Sequence, residues 1–121
     1  MNRPDIIINC SGMTDISSCE ENPSQAFKVN ALGARNLAIV AAKMQAKMVQ
    51  LSTDDVFDGR STEPYTEFDL VNPGTVYGKS KLAGENYVKE FTTKHFIVRS
   101  TWVYGKGQNF INGFLKKVDF P

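Results

Sequence analysis

In the stretch TVYGKSKLAGE, Tyr77 and Lys81 stand four residues apart with Gly78 between them. On a helix, that spacing puts both side chains on one face. A free phenol has a pKa of about 10, too high for an efficient proton donor near neutrality. An ammonium one turn away favours the phenolate and moves the donor toward the working range. Such a pair also arises on solvated helix faces that carry no chemistry, and the spacing alone leaves both readings open.

Thr53 closes the run KMVQLST. A hydroxyl there can donate to a carbonyl oxygen that Tyr77 protonates, or it can simply cap a turn. Asn30 falls on an otherwise apolar or small stripe, four after Ala26 and three before Gly33. A polar side chain on a buried face must find partners. A nearby backbone group would satisfy it, and a functional reading adds a supporting role, holding the lysine or a bridging water. Metal chemistry finds no support. His95 is the single histidine, and Cys10 and Cys19 have neither zinc nor redox spacing. DDVFDG hints at a calcium loop, but Val56 and Tyr65 stand where oxygen ligands are required. Metal ligands: none is expected.

The elements that must position these residues follow from periodicity. Asp5–Cys10 (DIIINC), Lys47–Thr53 and His95–Thr101 are short, apolar on both faces and rich in β-branched residues, as buried parallel strands are. From Ser24 to Lys47, the positions Ala26, Gly33, Leu37, Val40, Ala41 and Met44 keep a helical spacing. Asn72-Pro73 reads as an N-cap followed by proline at the first helical position, so a helix is expected over about 73–92. A last helix is expected from near Asn109. Residues 54–72 form the one long loop. Strands alternating with helices predict a parallel α/β sheet with right-handed crossovers. In such sheets ligands bind beyond the carboxyl ends of the strands. Those ends carry CSGMT (Cys10 to Thr14), STDD (Ser52 to Asp55) and STWVYG (Ser100 to Gly105). All are rich in small or hydroxyl residues.

Composition narrows the partners. With 121 residues the chain has room for one domain, and 41% hydrophobic and 22% charged residues are ordinary for a globular protein. A net charge of +1 gives no electrostatic reason for a nucleic acid or a membrane surface as partner. No apolar run approaches a membrane span and the first residues lack a signal-peptide core, so a reducing, cytoplasmic setting is expected for the two cysteines.

STDDVFDG, YGKSKLAGE, VNALGARNLA and VRSTWVYGKGQNF, in this order and spacing, resemble the extended short-chain dehydrogenase/reductases. Within them the closest likeness is to the dTDP-4-dehydrorhamnose reductases. The resemblance covers Asp5 to Val118. It implies a Rossmann-like parallel sheet with flanking helices and a Thr53, Tyr77, Lys81 catalytic triad. Tyr77 would protonate a keto oxygen while NADPH or NADH delivers hydride. Lys81 would lower the Tyr77 pKa and hold the nicotinamide ribose, and Thr53 would orient the keto group. The resemblance also places Ser11, Gly12, Met13 and Thr14 along the cofactor, with Asn30 in support and Ser100 and Thr101 near the nicotinamide. Thr53, Asp54 and Trp102 would contact the sugar nucleotide, a dTDP-4-keto-6-deoxyhexose reduced to dTDP-L-rhamnose. Two rivals share the fold: a nucleotide-sugar epimerase or dehydratase, and a non-catalytic subunit like the β subunit of methionine adenosyltransferase.

Departures from the family pattern carry expectations too. Asp55 replaces a usual aromatic residue, and Ser11, Gly12 and Met13 replace small alanines and a tyrosine. The glycine-rich βαβ unit that opens the family is not found, and Gly105-Lys106-Gly107 does not replace it because Phe110 occupies the third glycine position. Residues 1–121 therefore read as a partial NAD(P)-binding domain that opens at what would be the fourth strand. By itself it should be inactive and prone to homodimer formation or edge-mediated self-association.

Overall fold

The computed structural model describes residues 3–107, together with 113 and 115. The helix expected from near Asn109 lies outside the described residues. Three strands, β1 (Ile6–Asn9), β2 (Lys47–Thr53) and β3 (His95–Ser100), form a parallel sheet in the order β1-β2-β3. The register pairs Ile8 with Val49 and Val49 with Phe96. This is the Rossmann-like arrangement that the alternation of elements predicts.

Between β1 and β2 the chain is more broken than a single helix over 24–47. Helix α1 (Ile16–Glu21) is capped by Asp15, whose carboxylate accepts the Ser18 N–H at 3.1 Å. Helix α2 (Pro23–Phe27) follows at once, with Asn22 as its cap and Pro23 at the first position, where a missing N–H costs nothing. The five residues Lys28–Leu32 then form a π turn, and α3 (Gly33–Lys43) completes the run. Helix α1 has no counterpart in the sequence reading. Val40, placed on the apolar stripe there, is exposed. The face that turns inward is Ala34, Ala38 and Ala41, with Leu37 and Met44 beside it. Alanines at these positions let α3 lie close to α4 and β2.

Helix α4 spans Val76–Phe91. Its N-cap is Thr75, whose hydroxyl accepts the Gly78 N–H at 2.9 Å, and not Asn72. Asn72 is used elsewhere: its backbone N–H donates to the Val56 carbonyl at 2.7 Å and its amide to Asp58. Two residues beyond Pro73 the chain can turn into a helix without the proline ring meeting a preceding carbonyl. Gly84 is what allows α4 to seat on the π turn, since a Cβ there would stand 2.4 Å from the Asn30 carbonyl oxygen.

Helices α3 and α4 cover one face of the sheet, with Met48, Val88 and Ala46 completing a core of small and medium side chains. The opposite face is open. Ile8 is 61% exposed and Phe96, on the same rung two strands away, is 60% exposed, with Ile6 and Val98 also in solvent. Among the described residues no helix is long and apolar enough to cross a membrane.

Candidate active site

Thr53 is the last residue of β2 and caps a 3-10 turn at Asp54–Val56, its hydroxyl accepting the Asp55 N–H at 3.1 Å. It is buried, its hydroxyl donates to Asp54 Oδ1 at 3.3 Å, and as a hydrogen-bonding neighbour it draws the pKa of the Tyr77 phenol down. The two meet because α4 presses on the 3-10 turn through Gly78. A Cβ at Gly78 would stand 2.4 Å from the Asp55 carbonyl oxygen. That close approach explains the glycine between the phenol and the ammonium.

Lys81, one turn on, is buried, and its Nζ donates to the Leu51 carbonyl at 2.8 Å. Burial lowers its pKa, and the Glu85 carboxylate one turn further opposes this. Burial raises the Tyr77 pKa, as do Asp55, Asp54 and Cys19, while the Thr53 hydrogen bond lowers it. In this structure the Lys81 ammonium is turned onto the β2 backbone.

Asn30 sits in the π turn and is almost fully buried. Its Oδ1 accepts the Met13 N–H at 2.7 Å, and its Nδ2 donates to the Met13 carbonyl at 3.0 Å and to Ser80 Oγ at 2.9 Å. Asn30 thus has the backbone partner that one reading expects. That backbone belongs to the loop after β1, so Asn30 clamps Met13 to α4 through Ser80. A π turn is a frequent device at functional sites. Gly12 lies against the same cluster, where a Cβ would be 3.2 Å from Asn30 Oδ1 and 3.6 Å from Lys81 Nζ.

Ser11 is held by Asn9, whose Oδ1 accepts the Ser11 N–H at 3.1 Å and whose amide donates to buried Gln50 at 2.8 Å. Ser100 is the cross-strand partner of Thr53. Asp54 and Thr101 line a cavity of about 750 Å³ with Phe57, Tyr65, Glu85 and Arg99. The triad residues do not line it. Trp102 is exposed, as is Thr14. The structure thus brings Thr53, Tyr77, Lys81, Gly12, Met13 and Asn30 together around the carboxyl ends of β1 and β2.

The sequence reading missed Asn9, Gln50, Ser80, Glu85 and Arg99. The available signal was polarity inside apolar runs: Gln50 and Ser52 within β2, and Glu85 two turns beyond Tyr77 on its own helix face. His95 has a structural partner, its Nδ1 lying 2.7 Å from the Thr92 carbonyl oxygen. Among the described residues no group of three or more His, Cys, Asp or Glu is placed to hold a metal ion.

Comparison with known proteins matches residues 1–120 to the family described as the RmlD substrate binding domain. A dTDP-4-dehydrorhamnose reductase of Sinorhizobium fredii is 43% identical over 96% of this chain and 40% of its own length. The crystal structure of a dTDP-4-dehydrorhamnose reductase from Clostridium acetobutylicum is 50% identical, with a TM-score of 0.91 over 93% of this chain and 40% of that one. That of a dTDP-4-dehydrorhamnose reductase from Bacillus anthracis in complex with NADP is 45% identical, with a TM-score of 0.90 over 94% and 41%. The chain spans about two fifths of the length of these relatives.

Proposed function

The chain belongs to the family of the RmlD substrate binding domain, and on that premise we propose that it carries the proton-donor side of a reductase active site. The reaction is reduction of the 4-keto group of a dTDP-4-keto-6-deoxyhexose to dTDP-L-rhamnose, at the expense of NADPH or NADH, in the cytoplasm. The observation that carries this reading is the meeting of Thr53, at the end of β2, with the α4 face that holds Tyr77 and Lys81, the latter buried on the Leu51 carbonyl.

The residues present fit a dinucleotide. Ser11, Gly12 and Thr14 leave an exposed, small-residue backbone at the carboxyl end of β1, and Gly12 brings that backbone up to the Lys81 ammonium. Ser11 to Thr14, Ser100 and Thr101 would hold the cofactor, which when bound supplies the hydride. Lys81 would hold its ribose hydroxyls. Thr53 orients the keto oxygen, with Asp54 and Trp102 on the sugar nucleotide. Tyr77 gives its proton to that oxygen as the carbonyl carbon is reduced. Burial holds the phenol's pKa up, and the Thr53 hydroxyl works against this by steadying the phenolate that remains. The open sheet face and the β1 edge support self-association, because an uncovered edge is a pairing template. Light scattering on the chain should find dimers or larger species, and a monomer at all concentrations would exclude this part.

The test of the reaction is a chimaera in which residues 3–107 replace the matching segment of the Clostridium acetobutylicum reductase. Absorbance of NADPH or NADH should fall only when a dTDP-4-keto sugar is supplied. Tyr77→Phe should cut turnover on the order of 10²-fold or more with cofactor binding nearly unchanged. Turnover near the parent's would remove Tyr77 as the acid. Cofactor binding without any keto-sugar-dependent signal would point to a binding subunit.

A further inference from the structure

Glu85 is completely buried in the middle of α4, yet it carries no role in the site described above. A buried carboxylate is costly unless its charge and lone pairs are met. Here they are met by two strands at once. Ser52 Oγ donates to Oε2, and Arg99 donates from Nη2 to Oε1 at 2.7 Å and from Nε to Oε2 at 3.1 Å. Ser52 and Arg99 are cross-strand partners, and the next rung of the same ladder is Thr53 with Ser100. Along the helix, Glu85 stands one turn beyond Lys81 and two beyond Tyr77.

We propose that Glu85 is a positioning residue for the reduction put forward above: it pins the Ser52–Arg99 rung to α4 and thereby sets Thr53 against Tyr77 and Leu51 against Lys81. The inference rests on that reading for its link to turnover, and on the geometry alone for the pinning. Parallel strands can slide and tilt beneath a helix where apolar contacts alone hold them, because such contacts are smooth and non-directional; the Lys81 bond to the Leu51 carbonyl fixes β2 at one point and does not reach β3. A carboxylate accepting from both strands at one rung removes that freedom. Its charge also faces Lys81 from within the same helix and offsets the burial that would strip the ammonium of its proton.

A structural ion pair and a positioning one differ in what an apolar replacement restores. Well-packed apolar residues often support a fold as well as a buried pair does, but they cannot fix a register in the same way. The experiment is the triple substitution Ser52→Ala, Glu85→Leu, Arg99→Met in the chimaera. It should unfold within a few degrees of the parent, while turnover falls at least about tenfold with a smaller change in cofactor KM. The direct readout is amide exchange at Asp55, whose N–H is held by the Thr53 hydroxyl. It should quicken at least about tenfold while the α3 amides of Ala38 and Ala41 hold their protection. Unchanged protection at Asp55 overturns the proposal whatever the activity. A parent chimaera that reduces no keto sugar defeats the reductase reading instead, and the Asp55 exchange still judges Glu85. Should the triple variant not fold, Glu85→Gln carries the same measurement, since it keeps the volume and an acceptor for Ser52 while removing the charge that holds Arg99.

Discussion

Replacing Gly78 by alanine sets helix propensity against packing, and the structure says which wins. Alanine in a helix interior is favoured over glycine by about 1 kcal/mol. The new Cβ, however, would stand 2.4 Å from the Asp55 carbonyl oxygen and 3.1 Å from its carbon. Both are backbone atoms, so no side chain can rotate away. Relief requires α4 and the 3-10 turn to part by at least about 0.6 Å, and overpacking of this kind costs about 1–3 kcal/mol. Against rigid backbone the upper part of that range applies, for a net loss of about 1–2 kcal/mol and a drop of about 4–8 °C in Tm. The same parting separates Tyr77 from Thr53, and a misplacement approaching 1 Å costs on the order of 10²-fold in turnover. Thermal unfolding by circular dichroism, followed by the keto-sugar assay in the chimaera, tests both numbers. Gly74→Ala is the control, because a Cβ there meets nothing within 4 Å. If Gly78→Ala melts higher than the parent, propensity has won and the close contact does not shape the site.

Lys81→Met should lower both turnover and cofactor affinity, because one ammonium serves both; steady-state kinetics and calorimetry with NADPH check this. It should also melt no lower than the parent at pH 7. The Lys81 pKa is lowered on folding below its ordinary 10.5, so the unfolded chain binds more protons between the lowered value and 10.5 and the parent gains stability as pH rises through that window. Thermal melts should show the advantage of Lys81→Met fading toward pH 10.5. Asn30→Ala strips the Met13 N–H and carbonyl of their partner, at about 1–3 kcal/mol in stability, and should raise cofactor KM more than it lowers kcat. Asp55→Tyr should change the sugar KM more than the cofactor KM; the reverse pattern would move Asp55 out of the sugar pocket.

Much of the fold was legible because parallel strands announce themselves as apolar β-branched runs, and β2 was placed to the residue. Strand β1 proved shorter at both ends. The helical stretch after it failed in an informative way. Asp15, Asn22 and Pro23 each supply local capping chemistry, which breaks one amphipathic run into α1, α2 and a π turn. Periodicity averages over such breaks. The α4 start was misplaced because Asn72 and Pro73 offer the right residue types, while the loop from Val56 claims Asn72 first. At the site, the Thr53–Tyr77 pairing was foreseeable from strand-end and helix-start positions. The direction of Lys81 was not, since i,i+4 spacing fixes a face but not whether the ammonium turns to the phenol or to the β2 backbone. The roles of Glu85 and Arg99 were missed for a related reason: their meaning depends on which residues share a rung, and a rung joins distant parts of the chain.

That distance has a kinetic consequence. The Asn9–Gln50 side-chain bond joins residues 41 apart, and the β2–β3 rungs span comparable stretches. No two neighbouring strands can zip from a tight turn. Each loop must close before any ladder bond rewards it, so the entropy of closure is spent early. The chain should therefore begin with its local helices, and the sheet should follow together with the docking of α3 on α4, which joins residues as far apart. The apolar faces of β1 and β3 then wait longest for partners, which makes the order of assembly the moment at which this chain is most exposed to misassociation.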